Sequence, residues 1–367
     1  MPQFRDRIHS LDILRGLAAL SVVFWHWQHF FFVGGAPGEL VRESQPLYPY
    51  FSLFYRYGGM AVELFFSLSG FVFCWLFSRA IAQRELPASR FFIDRFSRLY
   101  PLHFATFLIV LAAQALYRSS HDSYFVYQEN DAFHALLNLL LIPAWGLERG
   151  WSFNAPIWSV SVEVLLYAVF FVTFSLMRLR LALIPLLILL GYYLPPYNFK
   201  VAFGLHAFFC GAAAYLITRE TATRFGLRLT IATALTISLA SWYFVSRDPD
   251  QRQFLMMGVA FPSSIALLAL LDRWIAPITL KFAFIGNLSY SSYLLHFPLQ
   301  LAFAMAVDFA SLPRSIFLSS KMLALFFIVL IPLCLICHRY FEAPLQKSIR
   351  NAYRHRHCQA NTLKETS

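Results

Sequence analysis

Apolar residues fill long stretches of this chain, and the charged residues fall between them. Runs long enough to cross a bilayer, about 17 to 25 residues each, lie roughly at 11–31, 61–79, 99–117, 157–177, 181–197, 202–218, 228–246, 254–272, 283–308 and 318–340. The pattern predicts an all-α, polytopic membrane bundle of about ten helices. An eleventh run, "FHALLNLLLIPAW" at 133–145, is too short to cross unaided and ends near a proline, which suits a re-entrant or interfacial piece.

Composition supports this reading. Of the 367 residues, 59% are hydrophobic and only 13% charged, an apolar share well above that of ordinary soluble domains. The 8 Trp and 18 Tyr are residues that favour the headgroup region. The opening residues place charges ahead of an apolar run with no small-residue cleavage site, so the first helix reads as retained. The length suits one membrane domain, 1–347, followed by a short basic tail, 348–367, expected to be mobile or to lie on an anionic leaflet. The sequence shows no internal repeat and so gives no support to the two-fold architecture of many secondary transporters.

A net charge of +11 raises the question of nucleic-acid binding. That needs a solvent-exposed basic face with stacking aromatics, whereas here the Lys and Arg residues sit in short connections, where they set membrane orientation. With the short run on the outer side, the inner segments hold Arg5, Arg7, Arg79, Arg84, Arg90, Arg95, Arg98, Arg178, Arg180, Arg219, Arg224, Arg228, Arg273, Lys281 and six more from Arg339 to Lys364, twenty of the 30. Nine are left outside (Arg42, Arg56, Arg118, Arg149, Lys200, Arg247, Arg252, Arg314 and Lys321), and Arg15 lies within the first helix. Both termini are thus expected in the cytoplasm. The cysteines fall mostly inside apolar runs, and Cys334-x-x-Cys337 reads as small apolar packing rather than a redox or metal pair.

Four stretches carry candidate chemistry. In "LDILRGLAALSVVFWHW", eleven residues separate Arg15 from His26, an advance of about 16 Å with a residual rotation of only about 20°, so the two share a helix face. A guanidinium near the inner surface suits a phosphate-bearing ligand. An imidazole deeper in the membrane can take a proton from a hydroxyl or act as a nucleophile. The structural alternative has Arg15 snorkelling to the interface and His26 bonded inside the bundle, with His29 structural in either case. In "FFIDRFSRLYPLHF", Arg95 and Arg98 share a face beside Arg90, either as a phosphate site or as orientation charges.

In "NAPIWSVSVEVLLY", Asn154 and Pro156 look like a helix start, and Ser159, Glu163 and Tyr167 form one polar stripe with Trp158 nearby. That combination suits a hydroxyl-rich ligand. In "GNLSYSSYLLHFPL", Tyr293 and His296 lie within a span, where His296 either assists proton transfer or bonds a neighbouring helix. Glu63 is placed to neutralise a buried base, and Glu342 to pair with Arg339 or another inner-face arginine. Nothing has zinc-ligand spacing, a phosphate-cradling glycine loop or a serine-hydrolase elbow.

Taken in order, "LDILRGLAALSVVFWHW", "VELFFSLSGFVF", "RFSRLYP", "WSVSVEVLLY", "GNLSYSSYLLHFPL" and "RYFEAPL" resemble the acyltransferase 3 family of membrane-bound acyltransferases over nearly the whole chain. The resemblance implies an acyl-CoA donor, usually acetyl-CoA, with no permanently bound cofactor and no metal. It also implies an acceptor hydroxyl on an extracytoplasmic polysaccharide or lipid-linked glycan, such as an exopolysaccharide or lipopolysaccharide, and a place in the bacterial inner membrane. On this reading Arg15 and His26 are catalytic, and Arg95 and Arg98 hold the donor. Glu63, Trp158, Ser159, Glu163, Tyr293 and His296 bind substrate. The family often has Asp where Glu63 stands and Tyr where His103 stands. Some members add an extracytoplasmic hydrolase-like domain that this sequence does not show, so transfer is completed alone or handed to a partner. A small secreted acceptor such as a macrolide, a proton-coupled transporter and a helix scaffold are the competing readings.

Overall fold

The computed structural model describes residues 7–176, 179–250 and 252–365, with side chains through 355. Arg5, Arg178 and the side chains of Arg356, Cys358 and Lys364 lie outside the described residues. Almost everything described is helical. Helix α1 (His9–Trp25) tightens into a 3-10 turn (His26–Phe31), and a short β-hairpin pairs Phe32–Val33 with Ala36–Pro37. Then come α2 (Tyr48–Tyr57), α3 (Ala61–Ala82), α4 (Ala88–Ser120), α5 (Ala132–Leu139), α6 (Ile157–Ser175), α7 (Arg180–Tyr193) and α8 (Pro195–Phe225). The remainder comprises α9 (Leu227–Arg247), α10 (Gln253–Leu255), α11 (Phe261–Phe282), α12 (Phe284–Asn287), α13 (Ser289–Phe309), α14 (Ser320–Cys337) and α15 (Ala343–Glu365).

Each of the ten apolar runs coincides with a helix or a merged pair. Seven of these, among the described residues, are long and apolar enough to cross a membrane by length and composition. The other three are α1, α7 and α13. Helix α1 stops at 17 residues because the chain tightens at His26, whose carbonyl accepts from Gln300 Nε2 at 2.9 Å. Helix α7 has only 14 residues, and α13 is largely buried and carries Ser, Tyr, His and Gln side chains through its middle. The short run at 133–145 forms the eight-residue α5 and then a turn.

Two large apolar clusters, and a small third around Val245 and Phe261, hold the bundle among the described residues. One gathers residues of α1, α3, α6 and α8, including Phe71, Leu166, Phe170 and Phe208. The other gathers Trp27, Phe30, Phe297, Phe317 and Phe326, with the Phe30 and Phe317 rings stacked at 3.7 Å. Helices α3 and α8 meet backbone to backbone. A Cβ on Gly70 would fall 1.8 Å from the Phe208 carbonyl oxygen, and one on Gly211 would fall 1.9 Å from that of Ser67. Small residues at such a crossing let van der Waals packing act at its shortest range, the main attraction between helices in lipid.

Proline also shapes the inner framework. Pro298 in α13 has no N–H to give to Leu294, four residues earlier, and Asn154 Nδ2 donates to that carbonyl at 2.9 Å. Helix α6 starts at Ile157, directly after the Asn154 and Pro156 signal, and the Asn154 side chain ties that entry to α13. The segment expected to be mobile or leaflet-bound continues α15 as helix. Its first turns are held on α4 by an Arg350–Asp94 ion pair at 3.0 Å and a Ser89–Tyr353 hydroxyl contact at 2.7 Å.

Gly70→Val and Gly211→Val should each force α3 and α8 apart, at about 1–3 kcal/mol or more for overpacking. The thermal midpoint of the detergent-solubilised protein should fall in both variants; a midpoint equal to that of the wild type would show that the helices do not meet there.

Candidate active site

Three cavities lie side by side along α1. The first, about 190 Å³ and polar, is bounded by Arg15, Arg98, Gly286, Ser289, Tyr290, His338, Glu342 and Gln346. A second, about 240 Å³, shares Arg15, Arg98, Ser289 and Tyr290 with it and adds Arg95, Ser69, Ser159, Glu163, Tyr167 and Tyr293 among apolar side chains of α3. The third, about 410 Å³, shares Val62 and Tyr293 with the second and is walled by His26, His29, Glu63, Tyr127, Trp25, Trp151 and Trp158. Arginines stand at one end of this series and imidazoles at the other.

The arginines are only lightly engaged. Arg15 reaches Asp12 Oδ1 at 3.4 Å and the Gly286 carbonyl at 3.5 Å, and its Nε has no partner. Arg95 lies 5.2 Å and 5.0 Å from the ring centroids of Phe73 and Phe77, again with an unpartnered Nε. Buried guanidinium N–H groups such as these two Nε atoms are costly to leave unmatched, and Arg98 lines the same cavities, a set of cations whose chemistry suits a multiply charged anion. Between them, Glu163 Oε1 accepts from the Tyr167 hydroxyl and from Ser69 Oγ.

At the other end the imidazoles form a connected network. His296 Nε2 and His26 Nδ1 are 2.9 Å apart, and His296 Nδ1 donates to the Ser292 carbonyl at 3.1 Å. Gln300 bridges the two turns of the 3-10 segment, donating from Nε2 to the His26 carbonyl and facing His29 Nδ1 with Oε1 at 3.2 Å. The His26 ring stacks on His296 at 4.8 Å and lies 4.6 Å from His29. Tyr293, on the shared wall, donates to the Pro156 carbonyl at 2.9 Å and accepts from Ser159 Oγ at 2.7 Å. Glu63 is 6% exposed and its Oε2 has no partner.

The family model for an acyltransferase domain matches residues 8–339. The chain belongs to the acyltransferase 3 family. Similar proteins include the acyltransferase MdmB of Streptomyces mycarofaciens, 32% identical over 182 residues, a match covering 48% of this chain and 42% of that protein. Protein 2 in the picA locus of Rhizobium radiobacter is 29% identical over 175 residues, covering 45% of this chain and 81% of that protein. No solved structure matches.

In this family member all ten residues singled out in the sequence fall on the three cavities or in hydrogen-bond contact with them. Arg15, Arg95, Arg98, Ser159, Glu163 and Tyr293 border the second cavity, and His26, Glu63 and Trp158 the third, while His296 is bonded to His26. Arg15 and His26, expected on one helix face, line adjoining cavities that have Val62 and Tyr293 in common. Glu63 makes no hydrogen bond or ion pair with a buried base among the described residues. Glu342 does not pair with Arg339. It accepts from Ser291 Oγ and faces His338 Nδ1 at 3.4 Å, because the turn at 338–342 carries Arg339 out over Tyr340. Arg90 is exposed and borders none of the three cavities.

Several participants were not recognised in the sequence. His29, read as structural, lines the third cavity, and Gln300 organises both histidines. The spacing of Tyr293, His296 and Gln300, three and four residues apart on α13, was the available signal. Lys200, counted as an outer orientation charge, is buried in an ion pair with Glu148, its Nζ 3.5 Å from the Trp151 ring centroid. His103 is fully buried and donates from Nε2 to the Asn138 carbonyl at 2.9 Å, which makes it a tie between α4 and α5. Cys334 and Cys337 are free thiols.

Gln300→Leu should leave the His29 Nδ1–H unpaired and strip the His26 carbonyl of its side-chain donor, at about 1–3 kcal/mol for the unpaired group. A lowered thermal midpoint in detergent is the expected result, and an unchanged one would show that the bridge is not formed.

Proposed function

We propose that this protein takes an acyl group, most simply acetyl, from acyl-CoA and places it on a hydroxyl of an extracytoplasmic glycan or lipid-linked sugar, within the bacterial inner membrane. One observation carries the reading: a cluster of arginines and the His26 imidazole occupy opposite ends of one series of adjoining cavities. Arg15, Arg95 and Arg98 suit the phosphates of the donor, which enters from the cytoplasmic side where the charge asymmetry puts both termini. The indole rings of Trp25, Trp151 and Trp158 offer apolar faces to a sugar, and Glu63 offers an acceptor oxygen to its hydroxyls.

His26 acts as general base. Its free nitrogen takes the proton of the acceptor hydroxyl, and the oxygen attacks the thioester carbonyl. The carbon–oxygen bond forms, the carbon–sulfur bond breaks, and the proton passes from the imidazolium to the departing thiolate. Tyr293, between the donor and acceptor cavities, lies where the carbonyl would pass. Transfer from a thioester to an alcohol runs downhill and needs no metal.

The test uses membranes carrying matched amounts of wild type, His26→Gln and Arg95→Ala/Arg98→Ala, supplied with radiolabelled acetyl-CoA and isolated lipid-linked glycan. The expected result is a loss of about 10²-fold or more in acyl transfer for His26→Gln. The arginine variant should show its defect chiefly as a raised KM for acetyl-CoA. Transfer by His26→Gln at the wild-type rate would contradict the reading. Label held on the protein in the absence of glycan would assign His26 as a covalent relay instead of a base.

A further inference from the structure

His26 and His296 each have two ring nitrogens, and their protonation is fixed by what those nitrogens face. The Ser292 carbonyl can only accept, so His296 Nδ1, 3.1 Å away, must carry hydrogen. Both rings are buried, stacked on one another, and hydrogen-bonded to no carboxylate among the described residues. A charge there would lack a counter-ion, which a buried site does not tolerate, so His296 is neutral and its Nε2 is a lone pair. That nitrogen faces His26 Nδ1 at 2.9 Å, which must therefore be the donor. His26 is left with its hydrogen on Nδ1 and its lone pair on Nε2, beside the third cavity.

The backbone around the pair fixes it in place. Gln300 donates to the His26 carbonyl, so its oxygen accepts from His29 Nδ1–H at 3.2 Å and gives the neighbouring imidazole the same tautomer. Pro298 would leave the Leu294 carbonyl of the same turn bare, and Asn154 fills it, holding α13 in register with α6.

We infer that His296 is a positioning residue rather than part of the substrate-binding wall: a neutral histidine anchored on the Ser292 carbonyl that selects the Nδ1–H tautomer of His26 and so aims a basic nitrogen into the acceptor cavity. The role is that of an orienting partner in a catalytic pair, supplied here by an imidazole where a carboxylate would introduce a buried charge. This inference rests on the acyl-transfer reading for its catalytic meaning, but the tautomer it assigns does not depend on activity.

Two readouts test it. Solid-state nitrogen-15 NMR of the full-length protein in lipid, with labelled histidine and His26 assigned by its loss in His26→Gln, should show His26 protonated at Nδ1 and not at Nε2. In acyl-transfer assays, His296→Phe should lower kcat by about 10²-fold with the KM for acetyl-CoA changed by less than about two-fold. His296→Gln, whose amide oxygen can still accept from His26 Nδ1–H, should recover at least about ten-fold of that loss. A His26 signal protonated at Nε2 overturns the inference, as does an equal loss in the Phe and Gln variants or a His296→Phe enzyme within about two-fold of wild type. A wild-type protein that transfers no acyl group would sink the proposed function, and the NMR result would still decide the tautomer.

Discussion

The hydrogen bond between His26 and His296 is the interaction on which the rest depends. It joins the end of α1 to the middle of α13 in the buried interior, where a polar atom left without a partner is costly. From that requirement follow the Gln300 bridge, the anchoring on the Ser292 carbonyl and the tightening of α1 into a 3-10 turn at His26. In the 3-10 turn the His26 carbonyl also accepts from Gln300 of α13, so α13 holds the backbone while the imidazole of His26 lines the cavity.

The same constraint explains the division of the interior. Charge is tolerated at the arginine end because Asp12, Asp94 and Glu163 lie nearby and the first cavity there is polar. At the imidazole end charge is avoided, and neutral groups are paired one with another. Between them stands Tyr293, tied to Ser159 and the Pro156 carbonyl. On the proposed acyl-transfer reading, cations at one end and a neutral base at the other would separate the binding of a charged carrier from chemistry on a neutral hydroxyl.

Much of this was legible in the sequence, and the reason is the membrane. Because lipid makes each buried Arg, Glu or His expensive, those few residues stand out against Leu and Phe, and Arg15, Arg95, Arg98, Glu163 and His26 were found on that basis. The helices were legible for the same reason, since apolar length is a direct reading of the bilayer. Pairings were not. Whether Glu342 meets Arg339 or Ser291, and which carbonyl the Asn154 side chain reaches, depends on helix rotation and neighbouring elements that no local pattern encodes. The partners of Lys200, read in the sequence only as an outer charge, were not legible either, because only the fold brings Glu148 and Trp151 to it.

Locating a non-hydrolysable thioether analogue of acetyl-CoA in the full-length protein by cryo-electron microscopy tests the central claim most directly. The account predicts the phosphates against Arg15, Arg95 and Arg98 and the acetyl carbonyl on the His26 side of Tyr293. An analogue bound with its phosphates away from these arginines, or with its acetyl group out of reach of His26, would contradict it.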